Sequence, residues 1–263
     1  MKFDFPALLV LLTFFTGVVW LLDAFWLGPR RRKALDSGGE YESKTPSYKE
    51  PWLIETSKSI FPVIFAVLFL RSFVYEPFRI PSESMLPTLE NGDFILVNKF
   101  AYGLRLPVLH THFLGSGKPE RGDIVVFRYP LDPNIDYIKR VIGLPGDEIR
   151  YTSDKTFFIN GEPLEQTDLG PLAQAWYKRE LIELLDEKQY RIHLDDRIPQ
   201  TEGFWRVPEN SYLMIGDNRD GSSDGRRWGF VPEENLVGRA DLIWMNLDMA
   251  GFSVNWSRIG KKL

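Results

Sequence analysis

The chain has 263 residues, of which 44% are apolar and 26% charged, and its formal net charge is -4. That apolar share supports a packed core and excludes a disordered chain, while the near-balanced charge excludes a strongly basic nucleic-acid binder. Cysteine is absent, which excludes disulfides, thiolate metal sites and a catalytic thiol.

Residues 5–27 are almost uniformly apolar, with Asp23 the one charge. A helix of about 20 residues crosses the hydrocarbon core of a bilayer. A cleavable signal peptide would have a shorter apolar stretch and small residues at its cut site. Here the run leads into Arg30-Arg31-Arg32-Lys33, so 1–27 is predicted to hold a retained transmembrane helix. Short basic loops stay in the cytoplasm. That assigns 28–58, irregular with Gly38-Gly39, Pro46 and Pro51, to the cytoplasm and the N-terminus to the outer side. A second apolar run, 59–75, has 17 residues, short for a span, and a buried core helix is its alternative. Arg71 near its outer end can snorkel, and Pro62 is expected in the first turn, where a missing donor costs little. These points favour a second transmembrane helix over 59–76, with the rest of the chain outside.

From Phe78 onward short β-rich runs alternate with turns. Phe94-Ile95-Leu96-Val97, Ile124-Val125-Val126-Phe127, Tyr137-Ile138, Val141-Ile142, Thr156-Phe157-Phe158-Ile159 and Tyr212-Leu213-Met214-Ile215 are the runs. Asn91-Gly92-Asp93, Arg121-Gly122-Asp123, Pro145-Gly146-Asp147 and Asn160-Gly161 bound them. The last is a strong hairpin turn. Residues 171–189, with Ala175, Leu181, Leu184 and Leu185 near helical spacing, predict a helix. The pattern is that of a largely antiparallel β domain of many short strands.

The histidines are weak candidates for chemistry. His110 and His112 alternate in a short run, as a metal pair on one strand face or as exposed loop residues, with no third ligand signalled. His193 has no motif. Asn218, Asp220 and Gly221 mimic part of a calcium loop, but the first and twelfth positions fall on Gly216 and Arg227, which should be acidic. A lysine is the other base open to a serine. It is well under ~1% neutral in water at pH 7, and burial among apolar groups lowers its pKa. Lys139, in Tyr137-Ile138-Lys139-Arg140-Val141-Ile142, has such flanks, although strand lysines usually face solvent. Ser82 and Ser84 lie between Pro81 and Pro87 in a segment expected to be rigid and extended. It reads either as a held nucleophile or as a linker with incidental serines.

The run Pro81-Ser82-Glu83-Ser84-Met85-Leu86-Pro87-Thr88-Leu89 with Gly92-Asp93 resembles the catalytic-serine box of bacterial type I signal peptidases. Residues 137–147 resemble their lysine box, and Gly216-Asp217-Asn218-Arg219-Asp220-Gly221-Ser222-Ser223-Asp224-Gly225-Arg226 resembles their third signature. The likeness runs from about residue 59 to 245, and three boxes in family order are specific where any one would not be.

The resemblance implies a mainly β fold: an antiparallel β catalytic domain with a smaller inserted β/α subdomain, preceded by two transmembrane helices. The catalytic domain would comprise 77–150 and 206–263, with 151–205 the variable insertion. Ser84 corresponds to the nucleophile and Lys139 to its general base. Ser82 and the Ser84 N–H correspond to the oxyanion hole, Ser222 to a lysine-orienting hydroxyl, and Asp224 with Arg226 to a supporting pair. Ile80, Met85, Leu89, Tyr137 and Ile138 would line the pocket nearest the cut, which accepts small side chains, as does the pocket for the third residue before it. Glu83 departs from the familiar glycine, so its side chain must point away from the scissile carbonyl. The implied activity is removal of signal peptides from exported preproteins at the inner membrane, in a multi-pass chain with its catalytic domain in the periplasm. No metal or cofactor is implied. Membrane lipid and the export translocon are the implied partners, and nucleic acid is not. A non-catalytic envelope module and a self-cleaving Ser/Lys repressor are the competing classes. The presence of both Ser84 and Lys139 opposes the first, and the two apolar runs oppose the second.

Overall fold

The computed structural model describes residues 5–36, 50–105, 112–115, 117–199, 202–248, 251 and 253–263. The chain divides into a helical unit, Met1–Val74 with Arg105–Phe113, and a β unit, Tyr75–Leu104 with Leu114–Leu263.

In the helical unit, α1 (Phe5–Leu22) runs through a π-helical turn, Asp23–Leu27, into α2 (Gly28–Asp36). Helix α3 (Trp52–Phe69) continues through a second π turn, Leu70–Val74. Two stretches, Ala7–Arg31 and Trp52–Val74, are long and apolar enough to cross a membrane. They pack through small and aromatic side chains: a Cβ on Gly17 would fall 2.8 Å from the Phe61 ring, and Trp20 lies 5.2 Å from Phe61, centroid to centroid. Asp23 is buried and pairs with Arg31 and, at 2.8 Å, with Lys58. The second apolar helix therefore begins seven residues before the expected start at 59. Lys58 is neutralised by Asp23 and Glu50, so this charge does not stop the helix. Pro62 consequently sits in the helix interior and not in its first turn. Gly38, Gly39 and Pro46 lie outside the described residues.

The β unit is built on an antiparallel sheet. In chain order its strands are β1 (Tyr75–Arg79) and β2 (Asp93–Asn98), then β5 (Ile124–Tyr129) and β6 (Asp132–Gly143). A separate ribbon, β3 (Leu104–Arg105) with β4 (His112–Leu114), intervenes. The sheet is completed by β14 (Ser211–Ile215), β15 (Val231–Pro232), β16 (Leu236–Asp248) and β17 (Ser253–Val254). The spatial order is β1-β2-β16-β5-β6-β14-β15, with β17 also on β16. Both faces are covered. Ile124 and Val126 pack with Ile80, Met85, Leu89 and Ile95 on one side, and Val125 and Phe127 pack with Val141, Tyr212 and Met214 on the other. That is why Ile124-Val125-Val126-Phe127 reads as an unbroken apolar run: alternating side chains enter two different cores.

Between β6 and β14 lie β7 (Glu148–Tyr151), β8 (Phe157–Ile159), β9 (Glu162–Pro163) and, later, β13 (Gly203–Arg206), forming a four-stranded sheet. Asn160 and Gly161 turn its β8–β9 hairpin at φ 52° and 93°, left-handed values that this residue pair accepts. Strands β10 (Glu165–Leu172), β11 (Ala175–Leu185) and β12 (Lys188–Asp195) form a three-stranded sheet. The helix expected over 171–189 is thus a hairpin. Leu181 and Leu185 satisfy both periods, being four apart, but Leu181, Glu183 and Leu185 are all buried on one strand face, and the register pairs Leu181 with Ile192 and Leu185 with Lys188. This part shares a core with Ile142, Leu213 and Ile215. The described residues of the expected insertion therefore form strands and turns, without its helical component.

The C-terminal segment is fastened by Arg258, in the turn Trp256–Arg258. Its guanidinium pairs with wholly buried Asp93 at 2.5 Å and with Glu90 at 2.5 Å. Arg258→Ala is expected to lower stability by about 3 kcal/mol, the scale of a broken buried pair. The measurement is the melting temperature of the detergent-solubilised chain; an unchanged value would show that this turn is not fastened by the pair.

Candidate active site

The three sequence boxes meet on the main sheet. The serine segment leaves β1 and is tied to β2 by Ile80 N–H to Asp93 O at 2.8 Å and Gly92 N–H to Ile80 O at 3.0 Å. It is a compact turn and not the expected extended stretch: Leu86 N–H bonds Glu83 O and Leu89 N–H bonds Met85 O. Met85 and Leu89, wholly buried, anchor the turn in the core and leave Ser84 half-buried at its start.

Lys139 comes from β6, opposite Val125 on β5. It is only 4% exposed, against the habit of strand lysines. Its Nζ lies 2.7 Å from Ser84 Oγ and donates to the Ile138 carbonyl at 2.8 Å. Burial lowers its pKa to about 8, against the opposing pull of Asp224 and Asp217. An amine so placed loses its proton in the range where a serine hydroxyl needs an acceptor.

The third box forms the wall beside this pair. Asn218 N–H bonds the Ser84 carbonyl at 3.1 Å, and Asn218 Nδ2 bonds the Glu83 carbonyl at 3.0 Å. Gly216 leaves room for that approach, since a Cβ there would fall 2.6 Å from the Ser84 carbonyl oxygen and collide with Ser222. Asp224 caps the short helix α4 (Gly225–Trp228), holds Arg226 through two contacts at 2.9 and 2.8 Å, and accepts from Gly216 N–H. Arg140 and Asp217 make a second buried pair, at 2.8 and 2.7 Å, with Thr88 Oγ1 donating to the same carboxylate.

Ser84, Lys139, Asp224 and Arg226 are therefore brought together, and Ser82 Oγ lies 3.4 Å from Ser84 Oγ. Ser222 is buried, but its Oγ has no hydrogen-bond partner among the described residues. The bond to Lys139 implied by the resemblance is therefore not formed in the structure. Ile80, Met85, Leu89 and Ile138 share one buried cluster, whereas Tyr137 packs in the other core, its ring stacked on Tyr129 at 4.5 Å. Even so, the Tyr137 ring centre is 5.4 Å from Lys139 Nζ. Sequence reasoning assigned no role to Asn218, Arg140, Asp217 or Thr88. Its one available signal was opposite charges set inside apolar boxes.

The residues resembling a calcium loop are otherwise engaged. Asp220 accepts from Lys155 Nζ at 2.9 Å and from Asp195 N–H at 2.6 Å. His193 is buried, which lowers its pKa. His110 and the His112 side chain lie outside the described residues.

A family model described as signal peptidase, peptidase S26, matches residues 53–245. A signal peptidase I from Pseudomonas fluorescens is 46% identical, with 99% of each chain covered, and one from Pseudomonas aeruginosa matches at the same identity and coverage. A solved signal peptidase I from Enterococcus faecalis V583 is 29% identical, covering 46% of this chain and 96% of that one, with a TM-score of 0.31. Matched by the family model over most of its length, and nearly half identical from end to end to two signal peptidases, the chain belongs to the signal peptidase family, peptidase S26.

Proposed function

We propose that this chain removes signal peptides from preproteins by serine-lysine catalysis, with Ser84 as nucleophile and Lys139 as its general base. The observation that carries the reading is the 2.7 Å approach of a buried lysine amine to the serine hydroxyl. Ser84 Oγ attacks the scissile carbonyl as neutral Lys139 takes its proton. The signal peptide becomes an ester on Ser84, and the mature protein leaves as an amine that receives the proton from Lys139. Water then attacks the ester, again giving its proton to Lys139, and the acid product frees the serine. Ser82 Oγ and the Ser84 N–H are the donors assigned to the oxyanion. Ile80, Met85, Leu89 and Ile138, which share one buried cluster, are assigned as a shallow apolar floor beneath the cut. A shallow floor rejects large side chains by collision, which favours small residues before the cut.

The chain is anchored in the membrane by its two N-terminal apolar helices. The basic residues after the first helix support an inner-membrane arrangement with the β unit on the periplasmic side, where preproteins emerge from the translocon. Lipid contact is supported by Trp244 and Trp256, which are 38% and 77% exposed and of a type that favours the headgroup boundary. Phe78, at the start of the β unit and a further aromatic candidate for lipid contact, packs against the core instead.

Ser84→Ala and Lys139→Ala are each expected to reduce cleavage by roughly 10⁴-fold or more while leaving the chain folded. N-terminal sequencing of the product from a purified preprotein reads this directly, and substantial cleavage by either variant would exclude the dyad. Activity should rise with pH and level off above about 8, because protonated Lys139 cannot accept the serine proton. Below that value the rate should fall about tenfold per pH unit; a flat profile over the same range would contradict the assignment. A fragment of residues 78–263 should float with phospholipid vesicles. If it stays in the soluble fraction, with its tryptophan fluorescence unchanged by lipid, the apolar helices alone hold the enzyme at the membrane.

A further inference from the structure

The dyad joins residues 55 positions apart, and the serine side of it is held by Asn218, which bonds the Ser84 and Glu83 carbonyls. Asn218 is flanked by Asp217 and Arg219, and each flank is fixed by a buried ion pair. Asp217 is held by Arg140, the neighbour of Lys139 on β6. Arg219, 1% exposed, is held by Glu183, 0% exposed, on β11 of the inserted hairpin. The Glu183 carboxylate also accepts from Tyr190 Oη at 2.6 Å and Gln166 Nε2 at 2.8 Å. Tyr190, on β12, places its ring 4.0 Å from the Arg140 guanidinium carbon. One tyrosine thus touches both pairs, through its ring on one side and its hydroxyl on the other. The backbone agrees: His193 N–H bonds Asp217 O, and Arg219 N–H bonds His193 O, both at 3.0 Å.

We propose that Glu183 and Tyr190 of the inserted hairpin are positioning residues that set Ser84 against Lys139. Asn218 hangs between two buried ion pairs. If the Arg219 side loses its anchor, the loop pivots about Asp217 and carries the Ser84 carbonyl with it, while Lys139 stays fixed in the sheet. The insertion then contributes to the reaction without touching substrate. This rests on the Ser84–Lys139 reading.

The test removes the Glu183–Arg219 pair as a unit, by Glu183→Met with Arg219→Met, because replacing both partners of a buried pair by apolar groups is commonly tolerated. In the full-length enzyme in detergent, kcat for preprotein cleavage should fall about tenfold or more, as expected for a displaced nucleophile. KM should be unchanged, and near-ultraviolet circular dichroism should show native packing. Tyr190→Phe, which removes one hydroxyl and keeps the stack on Arg140, should lower kcat about threefold, again at constant KM. A folded double variant with wild-type kcat overturns the proposal. If the double variant does not fold, Tyr190→Phe decides, and wild-type kcat there overturns it equally. Failure of the dyad itself is distinguishable, since only that would leave Ser84→Ala active.

Discussion

The structure is organised around an amine kept out of water. Moving the Lys139 pKa from 10.5 to about 8 corresponds to roughly 3 kcal/mol against the ammonium form. The sign follows from linkage: the unfolded chain holds that proton more tightly, so the penalty on folding is present below about pH 8 and is relieved as pH rises from there towards 10.5. The apolar clusters on both faces of the sheet must therefore supply enough stability to bury this group at neutral pH.

Burial would achieve little if carboxylates beside the amine were free to stabilise its charge. Asp217 and Asp224 both oppose the depression of the Lys139 pKa. Each, however, faces a guanidinium of its own, Arg140 and Arg226 respectively. The paired arginines hold those carboxylates and offset their field at the amine. They also share a backbone: Gly216 N–H bonds Asp224, and Asn218 between Asp217 and Arg219 bonds the serine turn. Electrostatic shielding and positioning are thus done by the same short loop.

Much of this was legible in the sequence because it is local. Two apolar runs, the Asn160-Gly161 turn and three boxes in order lead to the helices, the β unit and the pairing of Ser84 with Lys139 without any three-dimensional information. What was not legible depends on partners far along the chain. Lys58 reads as a helix breaker until Asp23, 35 residues earlier, is known to face it. Glu183 and Arg219, 36 apart, and Arg140 and Asp217, 77 apart, look like solvated charges. The strand Ala175–Leu185 reads as helix because leucines four apart fit both periods, and the deciding residue is a buried glutamate that a hydrophobic pattern scores as exposed.

The order of strands has a consequence for the newly made chain. The serine turn sits between β1 and β2, and the lysine lies on β6, but these two halves of the sheet do not pair with each other. They are bridged by β16 (Leu236–Asp248), which inserts between β2 and β5 and follows both hairpins in the chain. Without that strand, Ser84 and Lys139 belong to two hairpins that share no ladder and are tied by side-chain packing and by the bonds of Asn218 to the serine turn. Long-range closure of this kind is slow and cooperative. The pairing of the two hairpins within one sheet therefore waits on a strand that the chain supplies after both of them.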